Sequence, residues 1–189
     1  MAEVDIRFAQ HPFWDFSLAV YGHEGVAAAS LDLQDRVGLD VNLLLFCLWA
    51  GLERGVAFDR ESFAPVVIAA DAWNESVVQP IRAARRRLKQ GSAYLRDDIT
   101  EGLRRQVLEA EIGCEHGEQL IIAAAAEAVL AKARQGTVAE AVAANLAVYA
   151  DAAGFRFSNA DRLPLARVLS ARLDATGTED VLQTLLASG

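Results

Sequence analysis

Two cysteines, four prolines and three histidines are all that the chain holds of the residues that staple, break or ligate. Cys47 and Cys114 cannot build a disulfide framework, and standing 67 positions apart with no Cys-x-x-Cys they give no zinc-chelating pair. Cys47 stands among Leu, Phe and Trp, so a buried, inert thiol in a reducing compartment is expected, and Glu115 beside Cys114 disfavours thiolate there. None of His11, His23 and His116 has a glutamate three positions before it, which removes the Glu-x-x-His pairs of a di-iron bundle. There is no Gly-x-Ser-x-Gly, no Walker loop and no Gly-x-Gly-x-x-Gly after a strand. No cofactor and no metal is expected.

Long hydrophobic runs are equally scarce. The longest uncharged apolar segment, Leu43 to Leu52, is about half of the ~20 residues that a bilayer span needs, and Glu53 and Arg54 close it. Glu3 and Asp5 precede any apolar run, so no secretory signal is legible and cytoplasmic residence is the default expectation. Basic charge is the minority, 18 Lys and Arg against 26 Asp and Glu, and a net charge of −8 argues against general nucleic-acid binding.

What the chain does have is alanine, 36 of its 189 residues, with hydrophobic residues at 53% and charged ones at 23%. That composition predicts a globular all-α protein, long enough for one domain over residues 1–189. Pro12 opens a first helix to Tyr21, and Gly22 ends it. Val26, Ala29, Leu33 and Val37 recur at helical spacing before Gly38. Asp40 stands as N-cap to VNLLLFCLWAGLERG, in which both faces are apolar, so the helix Val41–Leu52 should lie at the centre of a bundle with Asn42 finding a polar partner. Asp59 caps Arg60 to Trp73, Asn74 can cap a segment to Lys89, and Pro80 within it predicts a kink or a restart.

From Asp98 to Gln135 a heptad-like seam runs through Ile99, Leu103, Val107, Cys114, Gly117 and on to Ala128 and Ala131, with Gly113 and Gly117 either breaking the helix or letting another backbone approach. Gly136 stops it. Thr137 and Glu140 form a capping box for a helix to about Ala152. Asn159 can cap another through Leu173, and Thr176 or Thr178 starts a last short one. The expected architecture is a compact bundle of eight to nine helices with no sheet.

The stretch from Ser17 to Gly51, with AWNESVVQPIRAARRRLK after it, resembles a bacterial family, domain of unknown function 2390, over roughly residues 12–120. The resemblance is carried by Trp14, Phe16, Ser17 and Leu18, by the triplet Leu33-Gln34-Asp35, by Asp40 to Leu45 with Trp49, and by Trp73, Pro80, Arg82, Arg85 and Arg86. It implies a small cytoplasmic helical protein and supplies no activity. The family pattern has cysteine where Ser30 stands, which speaks against thiol chemistry there. Residues 12–135 read as a family-like core and 136–189 as a C-terminal helical extension.

Charge is segregated: residues 82–105 carry eight basic and three acidic groups in an otherwise acidic chain. In IRAARRRLK the stripe Val77, Ile81, Ala84 and Leu88 is expected to face inward, flanked by Arg85 and Arg87, with Arg82, Arg86 and Lys89 pointing away. The outward trio, continued by Arg96, Arg104 and Arg105, is a candidate surface for an acidic protein or a second copy. Gln34, Asp35, Asp40 and Asn42 with Arg85 and Arg87 read first as caps and a buried ion pair. Beside Trp14, Trp49 and Trp73, they read second as the lining of a pocket for a small anionic or aromatic ligand. The cluster Glu111, Glu115, His116 and Glu118 reads as a solvated face rather than a metal site. The expectation is a noncatalytic interaction or regulatory module, self-associating through the small-residue seam; a ligand-binding helical protein is the alternative, and an enzyme would require titratable groups converging in a deep polar cleft.

Overall fold

A computed structural model describes residues 8, 10–130, 134–135 and 137–187. Among these residues there are nine α-helices: α1 (Pro12–Tyr21), α2 (Val26–Val37), α3 (Val41–Arg54), α4 (Arg60–Trp73), α5 (Gln79–Lys89), α6 (Asp97–Leu130), α7 (Val138–Ala153), α8 (Arg162–Leu169) and α9 (Ala175–Leu186). The family of elements is the all-α bundle that composition and periodicity predict.

The central helix is enclosed as its two apolar faces require. Leu43, Leu44, Phe46, Cys47 and Leu48 are shut off from solvent completely, and Leu45, Trp49 and Ala50 nearly so. Each large side chain so buried contributes roughly 1.5–3 kcal/mol relative to exposure. On one side α7 comes so close that a Cβ at Gly51 would stand 2.6 Å from Val142 Cγ2 and 2.9 Å from the Val142 nitrogen. Phe13 of α1 meets Phe46 edge-on, and Phe58 and Phe63, beyond the end of α3, stack on it. Asp40 caps α3, its Oδ1 accepting from the amides of Asn42 at 2.7 Å and Leu43 at 3.3 Å. Buried Asn145 of α7 ties the same region together: its amide donates to the Cys47 carbonyl (3.2 Å) and the Val56 carbonyl (2.8 Å), and its oxygen accepts from the Phe58 amide (2.8 Å).

Several expectations are corrected. A minimal antiparallel ladder exists, β1 (Val56–Ala57) against β2 (Arg134–Gln135); at two residues a side it closes the loop after α3 and forms no layer of the core. Asn74 is no N-cap: its backbone is helical, and α4 runs through a π-helical turn, Asn74–Val78, into α5. Pro80 explains the restart, because its missing N–H cannot serve the ordinary ladder and the looser turn absorbs the defect. Helix α6 continues unbroken through Gly113 and Gly117 as far as Leu130, where the described residues of that stretch stop. Ala131, Gly136 and the side chain of Ala128 lie outside the described residues. Ser158, not Asn159, caps a 3-10 turn (Asn159–Asp161) leading into α8, which stops at Leu169, and Asp174 rather than a threonine caps α9.

Candidate functional site

Helices α5 and α6 lie side by side, and their contact adds ion pairs to the expected apolar stripe. Val77, Ile81 and Leu88 of that stripe are half-buried and only Ala84 is exposed, while Val78 is fully buried and Arg82 and Arg85 are half-buried beside them. Arg82, expected to point outward, reaches inward: it donates to Glu115 Oε1 at 2.7 Å, Gln34 Oε1 at 3.1 Å and Glu111 Oε1 at 3.3 Å. Arg85 forks onto both oxygens of Glu111. Arg87 does not join them; it donates to the Gly91 carbonyl at 3.1 Å and stays exposed.

Glu111, His116 and Glu118 are likewise buried rather than solvated: the two carboxyls are compensated by partners, whereas His116 is stacked between aromatic rings and its Nε2 has no hydrogen-bond partner among the described residues. Burial pushes the Glu111 carboxyl up, but the guanidiniums of Arg85 and Arg82 outweigh this and hold it below the usual range. Burial raises Glu115, which Arg82 offsets only in part.

One turn further along α6 the partners are amides. Glu118, wholly enclosed, accepts from Asn42 Nδ2 at 2.7 Å and Asn74 Nδ2 at 3.1 Å, and the Asn74 amide also donates to Asp40 Oδ2 at 2.8 Å. Burial and the neighbouring Asp40 carboxylate push Glu118 up to about 9, so it holds a proton at neutral pH. Asn42 thus has the polar partner its position demanded, and its Oδ1 accepts from Gln119 Nε2 at 2.8 Å. The π turn places Asn74 here: it opens the helix where α3's N-cap and α6 meet.

Beside this ionic wall lies a slot of about 450 Å³ between α1 and α2 on one side and α5 and α6 on the other, with α3 beneath. Trp14, Leu18, Tyr21, Leu31, Leu45 and Ile112 form apolar walls, and Arg82, Glu115 and Gln119 belong to its polar end. Leu18, Tyr21, Leu31 and Ile112 remain substantially exposed at its sides. Trp14 is held by stacking on His116, ring centroids 3.8 Å apart and planes 2° from parallel. Gln119 is 4% exposed, yet its Oε1 accepts no hydrogen bond. A buried carbonyl left in that state costs on the order of 1–3 kcal/mol.

The remaining sequence candidates fall elsewhere. Asp35 lines a more polar hollow of about 460 Å³ with Asp40, Asp71 and Glu75, separated from the slot by Arg82 and Arg86. Trp49 is core, against Phe13 and Phe46. Trp73 donates to the Cys114 carbonyl at 2.9 Å and packs over Gly117, so this part of the seam meets the chain's own α4. Arg96 pairs with Asp98 and Arg104 with Glu101. Arg86, Lys89 and Arg105 are exposed and pair with no carboxylate among the described residues. No group of three His, Cys, Asp or Glu side chains among those residues converges as a metal would need, and no helix there is long and apolar enough to cross a membrane.

Reasoning from apolar periodicity missed Glu115 and Gln119 as site residues. The signal was present: Glu111, Glu115, Glu118 and Gln119 fall at i, i+4, i+7 and i+8 on one helical face, and Arg82 and Arg85 share a face of the helix before it. No curated protein and no solved structure matches the chain. A family model described as Protein of unknown function (DUF2390) matches residues 12–122, the stretch that supplies both walls, the floor and the ionic end of the slot, and the chain belongs to that family.

Proposed function

We propose that the chain is a noncatalytic binding protein whose slot between α1, α2, α5 and α6 takes a small molecule. The observation that carries this reading is the cavity itself, about 450 Å³ and lined by Trp14, Leu18, Leu31, Leu45 and Ile112 together with Arg82, Glu115 and Gln119. Catalysis is less well supported, because the titratable groups that converge here engage one another: Arg82 and Arg85 are held by Glu111 and Glu115, and Glu118 is enclosed. A thermal-shift survey of small organic molecules tests the reading. Ligands that raise the melting temperature by several degrees should lose that effect in Ile112→Trp, which fills the slot from an exposed position; stabilisation undiminished in this variant would place binding elsewhere.

A second reading, self-association as part of a regulatory role, is favoured by one feature. Tyr94 is 96% exposed, and Leu95, Ile99 and Leu103 continue its apolar ridge along the first turns of α6, beside Arg105. This ridge, rather than the Gly117 stretch that Trp73 covers, is where a second copy would dock. Light scattering should show a dimer at tens of micromolar that Ile99→Glu dissociates; a monomer at that concentration contradicts it.

A further inference from the structure

We infer that the slot selects an uncharged ligand head that both donates and accepts hydrogen bonds, a carboxamide above all, carried on an apolar body. This assignment rests on the slot being a binding site and adds the chemistry it selects.

Two side chains with unmet hydrogen-bonding capacity line the slot, one from each wall. Tyr21 ends α1 and is 38% exposed, and its hydroxyl has no hydrogen bond among the described residues. Glu115, on α6 opposite, gives Oε1 to Arg82 at 2.7 Å, while its Oε2 has no hydrogen bond among the described residues. The Glu115 side chain is 32% exposed, so that oxygen is not sealed away, and neither residue borders the acidic hollow beside Asp35. The two are close. Burial pushes the Tyr21 hydroxyl up, the Glu115 carboxylate pushes it further and Arg82 opposes them, so both charges reach that hydroxyl.

A ligand group between these walls meets a hydroxyl that donates on one side and a carboxylate oxygen that only accepts on the other. A carbonyl takes the first and an N–H the second, and a carboxamide carries both on one carbon. Charge narrows the choice. A carboxylate head would set a second anion against Glu115, and the guanidinium that holds Glu115, Arg82, already serves three acceptors. Arg86 pairs with no carboxylate among the described residues, but it is exposed and water screens its pull. An ammonium would leave water for a lining in which Arg82, Arg85 and Arg86 outnumber Glu111 and Glu115. For the body, Trp14, Leu18, Leu31, Leu45 and Ile112 suit an aromatic or branched aliphatic group.

Calorimetric titration with four probes of one shape tests the assignment. The probes are phenylpropionamide, benzylacetone with a methyl group in place of the amide nitrogen, phenylpropionate and phenylpropylammonium. The amide should bind tightest, about tenfold tighter than the ketone, which has no N–H for the charged oxygen. Tyr21→Phe, which removes a hydroxyl that holds nothing, should weaken the amide and the ketone alike by about fivefold. Glu115→Gln, checked for folding by its melting curve, should keep the Arg82 contact through its carbonyl and put an N–H where Oε2 was. The amide should then lose its advantage over the ketone, and the carboxylate should gain. The ketone or a charged probe as the tightest, undiminished amide binding in Tyr21→Phe, an unchanged ranking in Glu115→Gln, or no binding of the amide at millimolar concentration each overturns the assignment. If some probe then still binds and Ile112→Trp excludes it, the slot reading survives; if Ile112→Trp changes nothing, the slot reading falls too.

Discussion

Ser30 is sealed inside α2's contact with the core, fully buried, with its hydroxyl bonded to nothing. An unanswered buried hydroxyl costs about 1–3 kcal/mol, so Ser30→Ala, and Ser30→Cys with a similar volume, should raise stability by about 1 kcal/mol in urea unfolding; a loss of that size would show that the hydroxyl has a role. Glu118 is the opposite case, a buried carboxyl with partners enough to stay but too few to ionise. Its pKa in the folded chain, about 9, lies above the ordinary 4.5. Between those values the folded chain keeps a proton that the unfolded chain has released, so its contribution to stability is full below pH 4.5 and declines as pH rises toward 9. Melting temperatures from pH 5 to pH 9 should fall less steeply in Glu118→Gln than in the parent, and parallel curves would mean that Glu118 is ionised. At this scale the sequence was readable where a residue obeys its neighbours in the chain: Asn42 in an apolar run had to find a partner, and it found Glu118 and Gln119. It was unreadable where the partner is remote. Nothing local separates Arg82, which turns inward to Glu111 and Glu115, from Arg86, which does not.

Elements were the most legible level, because caps are local. Asp40, Asp59 and the Thr137–Glu140 box start the helices they announce, and Gly38 ends α2 in the left-handed conformation that glycine adopts readily. The failures share one cause, tertiary override of a local signal. Asn74 has the side chain of a cap but is drawn to Asp40 and Glu118, and the π turn rather than a helix end meets the constraint of Pro80. The contact of α5 with α6 includes ion pairs, which a stripe of apolar residues does not encode. Gly51 gives the element scale its prediction. A methyl group there would meet the backbone of Val142 at 2.9–3.0 Å, which no rotamer change can relieve. Gly51→Ala should therefore force α3 and α7 apart and cost about 1–3 kcal/mol, despite alanine's better helix propensity. A stabilised Gly51→Ala protein would contradict the close packing of those two helices.

For the whole molecule the organising fact is a helix with no polar face. Enclosing α3 takes α7 on one side and α1, α2 and α6 around the rest, and where α1 and α2 stand off from α5 and α6 the wrapping leaves the slot. The polar side of that slot is stiffened by the Arg82–Glu111–Arg85 pairs and by the Asn42–Glu118–Asn74 bridge, so its shape is fixed before any ligand arrives. Composition and period foretold the helix bundle and its centre; they could not foretell the slot, which exists only in the gap between two helix pairs distant in sequence. The most direct test is a nitrogen–proton NMR correlation spectrum recorded while a ligand that raises the melting temperature is added. The Trp14 indole, the Gln119 side-chain amide and the Arg86 backbone should shift together and saturate, with Tyr94 and Leu103 unmoved. Resonances that shift only along the Tyr94–Leu103 ridge, or none that shift at all, would contradict the account.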